Sequence, residues 1–166
     1  MAAGAIIVFE NALLTQSHYI LLDAFLLLFG FTALLFYFRY RNRKKWKNLI
    51  GAGIGAGLAM SVKWTGLTFL ALPIILELFD FIKSRKFPDL YKKIVTLALT
   101  PILLYTAIFA VHFSLLSKTG PGDAFMSQRF QSTLQGTSVP AQENPPGFLE
   151  KLIELNTEMY RSNQRL

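Results

Sequence analysis

Ile94-Val-Thr-Leu-Ala-Leu-Thr-Pro-Ile-Leu-Leu-Tyr-Thr-Ala-Ile-Phe-Ala-Val-His-Phe-Ser-Leu-Leu-Ser117 runs for 24 positions without a charged side chain. As a helix rising 1.5 Å per residue it would measure about 36 Å, more than the ~30 Å hydrocarbon core of a bilayer. Residues 24–38 and 48–62 are uncharged for 15 positions each. The whole chain is 16% charged, where a soluble domain carries about 25%. The missing charge has been removed from these runs rather than diluted evenly. That pattern excludes a soluble two-layer domain, a disordered segment and a disulfide scaffold. There are no cysteines, so no thiol nucleophile or thiolate metal site exists. The two histidines, His18 and His112, are too far apart for a metal-ligand spacing.

The net charge of +7 comes in blocks. Six of the seventeen cations lie between Arg39 and Lys47, and five more between Lys83 and Lys93. Both blocks abut apolar runs, so the positive-inside rule accounts for them and nucleic acid is not needed as a partner. If both blocks are cytoplasmic, the order of spans follows. Residues 1–9 are apolar without the basic leader of a signal peptide and are too short to cross, so they read as the end of a truncated span. The chain then reads as a fragment. Residues 19–38 form a span. The stretch from Leu49 to Ile82 must leave and return, giving a short or broken pair, 49–63 and 65–82, interrupted around Lys63-Trp64-Thr65-Gly66. Residues 94–116 form the last span, with Pro101 inside it. The transmembrane part is thus 1–116.

Composition changes at Ser117. Residues 117–166 hold five cations and five acids, with Gly-Pro-Gly at 120–122 and Asn-Pro-Pro-Gly at 144–147. By parity this segment is extracytoplasmic or luminal. Within it, Phe148, Leu149, Leu152, Ile153, Leu155 and Met159 recur at helical spacing, while Glu150, Lys151, Glu154 and Glu158 take the opposing positions. The pattern predicts an amphipathic helix over about 147–160 that packs on the membrane surface or on a further part of the protein. The expected fold is an all-α, multi-span membrane protein with an extracytoplasmic tail.

Gly51, Gly53, Gly55 and Gly57 superficially imitate a dinucleotide-binding loop, but a basic turn precedes them instead of a strand. Two interleaved small-xxx-small pairs, Gly51/Gly55 and Gly53/Gly57, predict close helix packing instead. Lys63 has two readings. An ammonium within an apolar stretch can snorkel beside the interfacial Trp64, or it can serve an anionic group near the outer surface. Asp23 sits one turn inside its span, on a helical face with Gln16 and Tyr19. With Asn11 and His18 nearby, these residues read as a polar cluster satisfied between helices. His18 and Asp23 are five apart, which argues against a His–Asp catalytic dyad. His112 reads as a packing histidine.

Three segments together resemble the protein O-mannosyltransferases, the dolichyl-phosphate-mannose–protein mannosyltransferases and their prokaryotic relatives. They are Glu10-Asn-Ala-Leu-Leu-Thr-Gln-Ser-His-Tyr-Ile-Leu-Leu-Asp23, Gly57-Leu-Ala-Met-Ser-Val-Lys-Trp-Thr-Gly-Leu67, and Gly120-Pro-Gly-Asp-Ala-Phe-Met-Ser127 followed by Phe130-Gln131. The first departs from the family in carrying His18 where members often have Arg. The tail looks most like that of the shorter, prokaryotic-type members. The resemblance implies a GT-C glycosyltransferase module. Such an enzyme moves mannose from a polyprenyl (dolichyl) phosphate carrier to Ser/Thr hydroxyls of an acceptor protein on the extracytoplasmic side. It implies no cofactor beyond that lipid-linked donor, and no metal. The setting is a bacterial or archaeal plasma membrane, or the endoplasmic reticulum membrane of a eukaryote. The family's catalytic Asp-Glu pair belongs upstream of the matched region, so no catalytic residue is expected here and the 166-residue chain by itself is expected to be inactive. Within the resemblance, Lys63, Trp64 and Gly66 are the candidates for the lipid phosphate, with Gly120, Gly122 and Asp123 in the luminal loop. A related enzyme moving another lipid-linked sugar remains an alternative. So does a transporter or assembly subunit, which broken helices and an intramembrane lysine also fit.

Overall fold

The computed structural model describes residues 22–84 and 87–164. Its elements, in chain order, are α1 (Leu22–Arg43), α2 (Trp46–Val62), a 3-10 turn (Trp64–Leu67), α3 (Thr68–Ser84), α4 (Phe87–Leu115), a second 3-10 turn (Pro121–Phe125), α5 (Gln128–Gln131) and α6 (Phe148–Gln164). Among the described residues the one sheet-like feature is an isolated bridge between Lys118 and Gln135. Three helical segments are long and apolar enough to cross a membrane: Leu22–Arg43, Trp64–Lys83 and Asp89–Leu115. Helix α2 has 17 residues, about 26 Å, and falls just short of a bilayer core. The chain divides into two compact units, Met1–Thr106 and Ala107–Leu166.

In the first unit, α1 and α2 form an antiparallel hairpin. Helix α1 continues to Arg43 instead of ending at Phe38, because arginine is a good helix former and nothing before Lys44 breaks the pattern. Lys44 then takes the left-handed conformation (φ 53°) and returns its N–H to the Tyr40 carbonyl at 2.7 Å. The basic segment is therefore mostly helical, with a turn of only Lys44 and Lys45. Along α1 the buried positions are Leu26, Gly30, Ala33, Tyr37 and Tyr40, spaced alternately four and three apart. Phe25, Leu28, Phe31, Leu35 and Phe38 are all about half exposed or more. One face meets protein and the other presents hydrocarbon to lipid, where burial in water-driven terms has no meaning and close packing must hold the helices.

The glycine run lies wholly inside α2, which disposes of a nucleotide loop. Its two pairs face two different helices. A Cβ on Gly51 would press the Phe36 ring at 3.0 Å, and one on Gly55 would lie 2.8 Å from the backbone nitrogen of Ala33, both on α1. A Cβ on Gly53 would lie 2.7 Å from Thr100, and one on Gly57 3.0 Å from Pro101, both on α4. The 51/55 face seats α1 and the 53/57 face seats α4. Tyr37, Tyr40, Leu49, Ala52 and Leu97 close the core between these helices.

Helix α4 begins at Phe87, earlier than the apolar run alone suggests. Pro88 falls in its first turn, where a missing N–H costs nothing. Lys92 and Lys93 are consequently helical, and the charge of Lys93 is buried against neighbouring helices.

In the second unit, two acids of α6 bond to neighbouring residues of the same unit. The Glu154 carboxylate accepts hydrogen bonds from the Ser127 backbone N–H (2.5 Å) and hydroxyl (3.0 Å). Glu150 pairs with Arg129 at 3.2 Å and accepts from the Gly147 N–H at 3.0 Å. Phe113 meets Phe130 and Phe148 edge-on, each with centroids 6.0 Å apart. Helix α6 is thus fastened within its own unit by Phe148, Glu150 and Glu154, while Leu149 and Ile153 stay about two-thirds exposed.

Candidate functional site

Helix α2 ends because Lys63 adopts an extended backbone (φ −158°, ψ 140°). Its N–H still closes the helix on Ala59 at 3.1 Å, and its carbonyl accepts from the Gly66 N–H at 2.8 Å to start the 3-10 turn. One extended residue thus stands between two hydrogen-bonded turns. Gly66 is buried against the α2 backbone, where a Cβ would collide with the Ala59 carbonyl group and the Met60 nitrogen. Only glycine lets the turn fold back so tightly.

The break holds a charge pair. Lys63 Nζ lies 3.4 Å from Asp23 Oδ1, with side chains 55% and 38% exposed. Asp23 is in the first turn of α1, where the helix dipole favours a carboxylate. Two residues forty positions apart, assigned by their spacing to separate roles, therefore share one site. Beside them Trp64 Nε1 donates to the Tyr105 hydroxyl at 3.3 Å, joining the turn to α4. Half-exposed ion pairs contribute only about 0–1 kcal/mol, so Asp23 orients the ammonium without committing it. An incoming anion can take over part of that contact. The arrangement offers a cation at a helix break, steadied by Asp23 and flanked by the indole–Tyr105 hydrogen bond.

The other members of the expected polar cluster, Asn11, Gln16, His18 and Tyr19, lie outside the described residues. In the second unit, Gly120, Gly122 and Asp123 line a cavity of about 340 Å³ together with His112, Lys118 and Phe130. Asp123 folds this loop on itself: its Oδ2 accepts from the Thr119 hydroxyl at 2.7 Å and the Gly120 N–H at 2.5 Å. Asp123→Ala should destabilise the loop by about 0.5–2 kcal/mol, as loss of a helix-capping carboxylate does. The change is measurable as faster backbone amide exchange at 119–126. His112 sits among rings, 5.8 Å from Phe109 and 5.7 Å from Phe113 by centroid.

Sequence reasoning missed a second polar cluster. Glu77, only 2% exposed, accepts from the Tyr37 hydroxyl at 2.9 Å and faces Lys93 Nζ as an ion pair at 2.9 Å. Lys93 also meets Asp89 at 2.6 Å, and Arg41 pairs with Asp80 at 3.0 Å. A lone acid within the apolar run ahead of the basic block, at Glu77, was the available signal.

With this geometry in place, comparison with known proteins assigns the chain. The family profile described as dolichyl-phosphate-mannose-protein mannosyltransferase matches residues 1–117. This chain belongs to that family. Among curated members it is 36% identical to dolichyl-phosphate-mannose–protein mannosyltransferase 1 of Saccharomyces cerevisiae, over 79% of this chain and 18% of that protein. It is 31% identical to mannosyltransferase 4 of Candida albicans, over 90% of this chain and 22% of that protein. It is also 31% identical to mouse protein O-mannosyl-transferase 1, over 82% and 20%. The fold matches the solved S. cerevisiae protein O-mannosyltransferase Pmt1-Pmt2 complex bound to the sugar donor. That match has a TM-score of 0.66 and 32% identity, and covers 74% of this chain and 19% of the yeast chain. The chain thus spans about a fifth of the length of these family members.

Proposed function

We propose that this chain is part of an integral membrane enzyme that moves mannose from a dolichyl (polyprenyl) phosphate carrier to Ser/Thr hydroxyls of acceptor proteins. The observation that carries the reading for this chain is the Lys63 ammonium at a helix break, held by a carboxylate weak enough to release it. In such a transfer the acceptor oxygen bonds to the anomeric carbon, and the bond from that carbon to the phosphate oxygen breaks. The hydroxyl proton passes to a general base, for which an upstream Asp-Glu pair is the candidate that the family resemblance implies. Negative charge grows on the departing lipid phosphate. Lys63 stabilises that charge, with Trp64 tying the turn to Tyr105 and Gly66 keeping the turn against α2, a form of electrostatic help that is strong in a water-poor site. The supporting sequence pattern puts Arg39–Lys47 and Lys83–Lys93 in the cytoplasm and the Lys63 break on the opposite side, where the loop at 120–123 and its acceptor protein would also lie. The remaining parts of the same polypeptide, before and after this chain, would complete the enzyme.

The test is made in the intact enzyme. Lys63→Met keeps a long, unbranched side chain but loses the charge. A hydrogen bond to an ionised oxygen contributes roughly 1.5–3 kcal/mol, so transfer from the lipid-linked donor should fall about 10- to 150-fold at equal expression. Lys63→Arg should fall less, since the charge survives. Unchanged transfer in Lys63→Met would return Lys63 to a snorkelling role. Labelling of a single cysteine at position 125 from the cytoplasmic side alone would overturn the topology.

A further inference from the structure

Of the six cations between Arg39 and Lys47, two do not line the cavity at this turn. Arg41 pairs with Asp80 at 3.0 Å, and Lys44 lies over the Tyr40 ring at 5.8 Å. The other four, Arg39, Arg43, Lys45 and Lys47, line one cavity of about 440 Å³ with Phe36 and Asn48. None of the four forms an ion pair with a described residue. Arg39 stacks on Phe36, its guanidinium carbon 5.9 Å from the ring centre. Stacking occupies the guanidinium face and leaves its N–H edge for an anion.

Asn48 supplies an independent observation. It is only 8% exposed, it lines this cavity, and its side-chain amide makes no hydrogen bond to a described residue. The amide opens onto the cavity, where a ligand can take up its donor and acceptor capacity. The cavity also sits at the start of α2, where Lys45 provides no side-chain cap. The first-turn N–H groups and the positive end of the helix dipole add to the same field.

We propose that this cavity binds a phosphate-bearing anion, with the phosphorylated headgroup of an anionic phospholipid as its occupant. The volume lies in the range of small-ligand pockets, about 300–1,000 Å³, and is larger than a bare ion requires. Basic pockets between transmembrane helices on the cytoplasmic side hold such headgroups. The exposed apolar face of α1, with Leu35 and Phe38 adjoining the cavity's Phe36 and Arg39, offers acyl chains a surface to lie along. The site is separate from Lys63 and does not depend on the transferase reading.

The intact membrane protein in phosphatidylcholine nanodiscs is titrated with phosphatidylinositol 4-phosphate, and in a parallel arm with soluble inositol 1,4-bisphosphate. Bound ligand is counted by native mass spectrometry. The combined Arg39→Gln, Arg43→Gln and Lys47→Gln variant should weaken the lipid about tenfold or more, while Lys83→Gln, a cation away from the cavity, should change it less than about twofold. Asn48→Leu should weaken it about 3- to 10-fold, which a diffuse attraction to a basic surface would not show. Should Asn48→Leu fail to fold, Asn48→Asp keeps the shape, and its negative charge should lower affinity in the same way. Variant-sensitive binding of the soluble bisphosphate alone would keep the phosphate site and move its source to solution. Binding insensitive to these substitutions in both arms, or as sensitive to Lys83→Gln, would overturn the proposal.

Discussion

Lys93→Met should cost the folded protein about 3–5 kcal/mol, the penalty for stranding one member of a buried ion pair. Lys93 is the counter-ion of Glu77, whose carboxylate is 2% exposed. Without the ammonium, Glu77 keeps only the hydrogen bond from the Tyr37 hydroxyl. The reverse change, Glu77→Leu, should cost less, because Lys93 retains Asp89 at 2.6 Å on its own helix. Replacing the whole group, Tyr37→Phe with Glu77→Leu and Lys93→Met, should recover most of the loss, since apolar groups of similar volume need no partners. Thermal unfolding of the intact protein in detergent micelles measures all three. A loss under about 1 kcal/mol for Lys93→Met would mean that Glu77 finds another hydrogen-bond partner in its place.

Gly66→Val should be the most damaging change at the helix break, about 3 kcal/mol or more. The added Cβ meets the Ala59 carbonyl group and the Met60 nitrogen, which are backbone atoms of α2 and cannot swing aside. Overpacking against movable side chains typically costs about 1–3 kcal/mol, and a rigid obstacle belongs at or above the top of that range. The turn must open, and Lys63 and Trp64 move with it, so donor-dependent transfer should fall together with stability. Gly120→Ala and Gly122→Ala provide the contrast. Nothing lies within 4 Å of a Cβ at either position, so both should stay within about 0.5 kcal/mol of the parent, as exposed substitutions usually do. Equal damage at all three glycines would mean that the 3-10 turn is not folded against α2.

What could be read from the residues was whatever depends on short spacing. The helix interruption at Lys63 and the two glycine pairs of α2 are periodicity statements, and small residues four apart announce a close neighbour without naming it. Which neighbour each pair seats, Ala33 and Phe36 or Thr100 and Pro101, depends on how α1 and α4 are rotated about α2. The Asp23–Lys63 contact was illegible for the same reason. Each residue was read on its own helix, and the pairing depends on the register between α1 and the α2 break. Glu77 and Lys93 were passed over because one looked like a lone acid and the other like a member of a cytoplasmic basic block. Glu150 and Glu154 were legible as polar positions, but their partners were not. They do oppose the apolar positions of α6, but the loop at Ser127–Arg129 comes to meet them.

The two-residue turn at Lys44 and Lys45 bears on biogenesis. Its left-handed Lys44 and the close approach of Gly51 and Gly55 to α1 join stretches of chain adjacent in sequence. Such local contacts form early, without waiting for distant segments to arrive. Helices α1 and α2 can therefore enter the bilayer as a preassembled hairpin, its cationic tip left behind at the surface from which it was threaded. On the proposed topology the Lys63 end would be the part delivered across, with α4 docking afterwards onto the vacant Gly53/Gly57 face.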